Sequence, residues 1–218
     1  MSWSVERALG PASTFHARAL PDPLTRAVWV HQIDRPALVL GSAQSPDIVD
    51  SAAATTAGVE IVRRRSGGGA VLLIPGEVLW VDVTLPADDP LWVDDIGRSF
   101  HWLGEAWAAA VDPVGRSAEV HTGPLLRTQW SALVCFAGLG PGEVSLGGRK
   151  FVGLSQRRTR AGARFQCALH RRFDAATLAD LLRLSDDERE QLVAEVSLIV
   201  AVTDRPLDDV LAAFLRAL

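Results

Sequence analysis

The 218-residue chain has an ordinary globular balance, 48% hydrophobic and 22% charged, which suits a single domain with a full core. A formal net charge of −4 leaves no basic excess, which argues against nucleic acid as a partner. No apolar run reaches the roughly 18 residues of a membrane span, residues 1–20 show no apolar leader, and the only cysteines, Cys135 and Cys167, are expected as free thiols in a reducing, cytoplasmic setting.

Pro11, Pro21 and Pro23 break residues 1–27 into what reads as short helical turns and loop. Apolar runs at 27–33 and 37–40, separated by Asp34-Arg35-Pro36, predict two adjacent strands. Ser45 as N-cap and Pro46 at the first position predict a helix over 47–56, stopped by Gly58. Strands are predicted at 59–62, 70–74 and 78–85. Ile96, Phe100, Leu103, Trp107 and Val111 recur at helical spacing, so 94–111 reads as a helix with a buried stripe, capped by Asp94 or Asp95. Residues 116–173 read as β structure. Gly147-Gly148 between 143–146 and 149–156 is a two-residue hairpin signal that puts Lys150 just after the turn. Residues 164–170 pair back through Arg160-Ala161-Gly162-Ala163. The remainder is helical: Asp174 caps one helix, Ser185-Asp186-Asp187-Glu188 forms a capping box for the next, and Pro206 opens the last.

The informative stretch is Val62-Arg63-Arg64-Arg65-Ser66-Gly67-Gly68-Gly69-Ala70-Val71. Three consecutive glycines cost backbone entropy, so a close approach or a positive φ is expected there. A Gly-rich turn gathers N–H groups toward one point and the arginines add charge, which suits a phosphate or carboxylate; the plain alternative is a flexible turn with a solvated basic face. Lys150 is the only lysine in a chain that otherwise uses arginine, which suggests a need for a compact ammonium. No His/Cys cluster has zinc spacing and no P-loop is present.

Arg63, Arg64, Ser66, Gly67, Gly68, Gly69, Ala70 and Val71 resemble the Arg-Arg-x-Ser-Gly-Gly-Gly-Ala-Val motif of the lipoate–protein ligase, octanoyltransferase and biotin ligase superfamily. Gly148-Arg149-Lys150-Phe151-Val152-Gly153-Leu154-Ser155-Gln156-Arg157 resembles its lysine segment. The resemblance spans roughly residues 28–173. It implies an α/β fold of the class II synthetase-like kind, a mixed β-sheet flanked by helices. It implies one catalytic domain over 1–218, with core motifs at 28–173 and a helical part at 174–218. It also implies Lys150 as a catalytic residue at the acyl carbonyl, with Arg63, Arg64, Ser66, Gly67, Gly68, Gly69, Ala70, Gly153 and Gln156 around substrate or nucleotide. Cys135-Phe136 is similar to the segment that carries the acyl thioester in one class of octanoyltransferases, which makes Cys135 the candidate nucleophile beside the alternative of a core cysteine.

The expected activity is attachment of an octanoyl or lipoyl group to a lysine of a lipoyl carrier domain or a glycine cleavage H-type protein. Two routes are open. A transferase would use Cys135 and an octanoyl-acyl carrier protein, with no permanently bound cofactor. A ligase would use free lipoate, ATP and Mg²⁺. A third possibility is a non-catalytic binding module that retains the fold. The sequence departs from the family pattern in places. Leu72, Leu73 and Ile74 stand where many relatives continue with x-His-Asp, Ser42 and Ser45 replace an arginine and an asparagine, and Cys167-Ala168 falls where His-Gly is common.

Overall fold

The computed structural model describes residues 2–112 and 117–218. In chain order its strands are β1 (Ser4–Gly10), β2 (Ala27–Ile33), β3 (Ala37–Leu40), β4 (Glu60–Arg63), β5 (Val71–Leu73), β6 (Val78–Pro86), β7 (Ala118–Val120), β8 (Val144–Leu146), β9 (Arg149–Arg158) and β10 (Gly162–His170). The helices are α1 (Ala12–Ala17), α2 (Ser51–Thr56), α3 (His101–Val111), α4 (Ala175–Asp180), α5 (Asp186–Ile199) and α6 (Leu207–Ala217).

A seven-stranded mixed sheet runs β1-β2-β6-β10-β9-β8-β7, and a three-stranded sheet runs β4-β3-β5. The large sheet is antiparallel except where β1 lies parallel to β2. Helices α3 and α6 cover one face of it, with Trp107 stacked on Phe214 at 3.8 Å. The small sheet lies against the other face. Its central strand β3 is apolar throughout because both faces are buried: Val39 packs toward Trp80 of the large sheet, whereas Leu38 and Leu40 pack toward Leu178, Leu192 and Val196. The order of layers is therefore helices, large sheet, small sheet, helices. This is the mixed α/β architecture expected from the sequence. Among the described residues no helix is long and apolar enough to cross a membrane.

Several boundaries differ from the sequence reading for identifiable reasons. Residues 4–10, read as turn and loop, form an edge strand. Val5 and Leu9 are exposed, so no apolar alternation marks it, and its register to β2 is held by backbone pairing. The helix expected at 47–56 splits. Ser45 caps a 3₁₀ turn at Pro46–Ile48, and Asp50 restarts the chain as α2 by accepting from the N–H groups of Ala52 and Ala53. The helix expected from residue 94 begins at His101 after a 3₁₀ turn at Arg98–Phe100, and Ile96 lies outside it, exposed. The hairpin signal holds: Gly147 and Gly148 have φ of 58° and 75°, the left-handed pair a tight turn requires. The caps at Asp174 and Ser185 also form as expected.

Candidate active site

The Gly-rich segment is the connection from β4 to β5, and Arg64 builds it from inside. Strand β4 ends at Arg63. The next side chain turns inward and donates to the carbonyls of Gly67 (2.7 Å), Gly69 (2.8 Å) and Val39 (3.3 Å). Burial pulls Arg64 below the usual arginine pKa, while the nearby Cys135 and Glu143 oppose that shift. Gly68 has φ of +99°, and a Cβ there would meet the Arg64 guanidinium at 2.8 Å. At Gly69 a Cβ would lie 2.6 Å from the backbone of Val134, so the loop sits directly on the segment leading to Cys135. Backbone bonds fasten the two: Ala70 donates to the Leu133 carbonyl at 2.8 Å, and Cys135 donates to the Ala70 carbonyl at 3.0 Å. Gly67 and Gly68 are exposed, and among the described residues no protein group accepts from their N–H groups.

Cys135 opens a short 3₁₀ turn, Cys135–Ala137, and is half-buried. Its sulfur stands 4.0 Å from the position a Cβ would take on Gly68. The thiol lines a cavity of about 50 Å³ between the two sheets, walled by Val39, Leu73, Trp80, Phe136 and Leu154. Its lining is mostly apolar. The polar side chains around it are occupied with one another. Ser66 Oγ bonds Ser155 Oγ and Gln166 Oε1, each at 3.0 Å, and the Gln166 amide reaches His16 Nδ1 at 3.3 Å. Burial holds His16 down at about 3, so this imidazole is neutral near pH 7 and brings no charge to the cavity. Beyond it, Asp82 accepts from Arg164, His31 and Trp80. Burial pushes this carboxyl up, but His31 and Arg164 more than offset that and hold it ionised.

Lys150 lies at the start of β9, as the hairpin predicts, yet it is only 5% exposed. Its Nζ is 2.7 Å from Glu143 Oε2 and donates to the carbonyls of Cys135 and Gly138, both at 2.9 Å. The structure thus brings together Arg64, Ser66, Gly67, Gly68, Gly69, Ala70, Cys135, Lys150 and Gly153. Gly153 leaves room for Phe136, whose ring would stand 3.3 Å from a Cβ there. Of the residues brought together, Arg64, Cys135 and Gly153 line the cavity itself, and the others are joined to them through the Gly-rich loop and the 135–138 turn; Arg63 and Gln156 stand apart. Arg63 is exposed and donates to the Gln44 carbonyl at 2.8 Å. Gln156 turns away and donates to the Ile96 carbonyl and Ser99 Oγ. The sequence reading passed over Glu143, Ser155, Gln166 and His16. Only Glu143 carries a local signal: it lies near Lys150 across the two-residue hairpin, where opposite charges on neighbouring strands meet.

The family model for the lipoyl protein ligase A/B catalytic domain matches residues 6–216. This chain belongs to that family. A search of curated protein sequences finds no match. Solved structures do align. A bipartite lipoate protein ligase of an archaeal lipoylation system from Thermoplasma acidophilum, studied with its E2 lipoyl domain, is 19% identical with a TM-score of 0.78, covering 100% of this chain and 82% of that one. A lipoate-protein ligase A bound with ATP is 21% identical with a TM-score of 0.70, over 100% and 84% of the two chains. LipL1 of P. falciparum in complex with lipoate is 10% identical with a TM-score of 0.65, over 99% and 61%. At these identities the likeness is one of fold. Within that lipoyl ligase fold, the residues that replace x-His-Asp are apolar for a visible reason: Leu73 lines the cavity and Leu72 packs into the core beneath the small sheet.

Proposed function

We propose that this lipoyl ligase-family domain transfers an octanoyl or lipoyl group to a lysine of a lipoyl carrier domain through a thioester at Cys135. The observation that supports this most is the position of the Cys135 thiol, on the wall of an apolar slot and beside the unsatisfied N–H groups of Gly67 and Gly68. The acyl chain enters the slot and its thioester carbonyl meets the sulfur. The thiolate attacks that carbonyl carbon, and the oxyanion that forms accepts from the Gly67 and Gly68 N–H groups. The Arg64 guanidinium and the Cys135 sulfur both lie close to Gly68, so a cation is near the sulfur. Collapse breaks the carbonyl–sulfur bond of the donor, whose sulfur takes up the proton that Cys135 released to solvent, and leaves the acyl group on Cys135. The neutral ε-amine of the carrier lysine then attacks this thioester, forms the amide and regenerates the thiol. The Thermoplasma ligase with its E2 lipoyl domain and LipL1 with lipoate support a lipoyl domain and a lipoyl-type acyl group as partners.

An ATP-dependent ligase is the second reading. The exposed N–H groups of Gly67 and Gly68, flanked by the exposed Arg63 and Arg65, also suit a phosphate, and a family fold is known with ATP bound. Among the described residues no group of three or more His, Cys, Asp or Glu is placed to hold a metal ion, so any Mg²⁺ would depend mainly on the nucleotide's own phosphates. Intact mass of a purified lipoyl domain, incubated with the protein and either octanoyl-carrier thioester alone or lipoate with ATP and Mg²⁺, tests the proposal. A gain with the thioester alone supports transfer. A gain only with lipoate and ATP selects the ligase, and no gain in either tube leaves a binding module.

A further inference from the structure

Cys135 sits on a long irregular connection. Strand β7 ends at Val120, β8 begins at Val144, and between them the one helical turn is Cys135–Ala137. A reactive side chain on such a connection has to be positioned by the scaffold beneath it. The segment leading into Cys135 is fastened to the small-sheet side by two backbone bonds, Ala70 N–H to the Leu133 carbonyl and Cys135 N–H to the Ala70 carbonyl. One side chain adds to them. Gln44, in the turn that follows β3, donates from Nε2 to the carbonyls of Ala132 (2.9 Å) and Leu133 (3.0 Å).

Both N–H groups of the Gln44 amide are used in this way, and its Oε1 accepts from Gly41 N–H at 2.9 Å. Its backbone carbonyl accepts from Arg63 at the end of β4. The turn that Gln44 closes touches the Gly-rich loop directly. Ser42 N–H donates to the Ser66 carbonyl at 2.9 Å, and a Cβ on Gly41 would lie 1.9 Å from the Gly68 carbonyl oxygen. A glutamine at the surface ordinarily spends its amide on water. This one, half-buried, is held by three protein groups on two segments, the turn packed on Gly68 and the segment that carries Cys135.

We propose that Gln44 is a positioning residue for the acyl transfer. It ties the Cys135 segment to the Gly-rich loop, so that the thiol and the Gly67 and Gly68 N–H groups meet one carbonyl group together. The purpose of the tie rests on the acyl-transfer reading; its existence rests on the hydrogen bonds.

Gln44→Met keeps the length of the side chain and removes its hydrogen bonds. Alkylation of Cys135 by iodoacetamide is expected to change by about fivefold or more, while buried Cys167 stays unmodified. In the transfer assay kcat should fall by about tenfold with KM for the carrier domain little changed, as for a group that acts on the reacting geometry. Asp50→Ala controls for loosening alone: it removes the cap of the neighbouring α2 and should leave both readings within about twofold of wild type. If Gln44→Met fails to fold, Gln44→Glu carries the test. It keeps the acceptor for Gly41 and sets a carboxylate against the two carbonyls. The same changes are expected near neutral pH, and they should shrink in mild acid, where the carboxyl takes up a proton and can donate again. A folded Gln44 variant whose Cys135 alkylates and turns over within about twofold of wild type overturns the proposal, as does an equal effect of Asp50→Ala. Alkylation needs no turnover. A shifted alkylation rate in a protein whose Cys135 never takes an acyl group would sink the acyl-transfer reading and leave the tie. Transfer through Cys135 that survives Gln44→Met intact would sink only the tie.

Discussion

Both cysteines are among the residues around one cavity, but their side chains have opposite settings: Cys167 points through the large sheet into the core beneath α3 and α6, against Trp107. Cys167 sits mid-strand in β10, paired on both sides, fully buried, and burial pushes its thiol well above the ordinary range. Cys135 sits where the chain leaves regular structure for a 3₁₀ turn, half-buried, beside a loop with unsatisfied N–H groups and a buried cation. A thiol in a strand interior is part of the packing. A thiol on a turn can be met by a carbonyl from one side and stabilised from the other. The face of the sheet that each side chain takes, and the turn that carries Cys135, separate the reactive candidate from the structural one.

The comparison breaks most sharply in turnover. Cys135→Ser is expected to lose about 100-fold or more of the transfer rate, because an alcohol is a far weaker nucleophile at neutral pH. Cys167→Ser should keep the rate within a few-fold and lose about 1–3 kcal/mol of stability by burying a hydroxyl, as read by denaturant unfolding. Equal losses of rate in the two variants would erase the distinction.

The surroundings of Cys135 come next. Lys150→Ala strands Glu143 as a buried, unpaired carboxylate and should cost about 3–5 kcal/mol in urea unfolding. Lys150 follows directly on a turn, yet both it and Glu143 are buried. Glu143→Leu/Lys150→Met should recover most of the loss. A Lys150→Ala protein as stable as wild type would show that the pair is not buried in solution.

Gly68→Val sharpens the comparison on the loop side. The left-handed φ and the Arg64 contact at 2.8 Å make the side chain strained there, and a cost of about 1–3 kcal/mol is expected. Acylation of Cys135 should fall further than stability does. Unchanged acylation would remove the Gly-rich loop from the oxyanion's surroundings.

The smallest expected effect is in acid. Burial lowers His170 to about 4 and His16 to about 3. Both histidines are neutral in the fold, and the unfolded chain protonates first. Stability is therefore full above pH about 6.5 and falls as pH drops below it, by about 2 kcal/mol per histidine at pH 5. His170→Phe should flatten the pH 5–7 dependence of urea unfolding; an unaltered slope would place His170 in water.

The fold and half of the site were legible in the sequence because their signals are local. The Gly run, the Gly147-Gly148 turn and the caps at Asp174 and Ser185 each act within a few residues of themselves. The edge strand at Ser4–Gly10 was not, since an exposed parallel edge needs no apolar alternation. The adjacent Arg63 and Arg64 could not be told apart either. One faces water and the other is spent on three carbonyls, a difference made by the strand's alternation against the second sheet. Gln166 acts across elements, and no spacing within one element reveals it, whereas Glu143 could have been found from its place across the hairpin from Lys150.

The central claim is a thioester on Cys135, and intact mass after incubation with an octanoyl-carrier donor tests it most directly. The account predicts one octanoyl adduct that forms without ATP, maps to Cys135, is released by hydroxylamine and is absent in Cys135→Ser. An unmodified protein that nevertheless acylates a lipoyl domain, with Cys135→Ser active and ATP required, would contradict it.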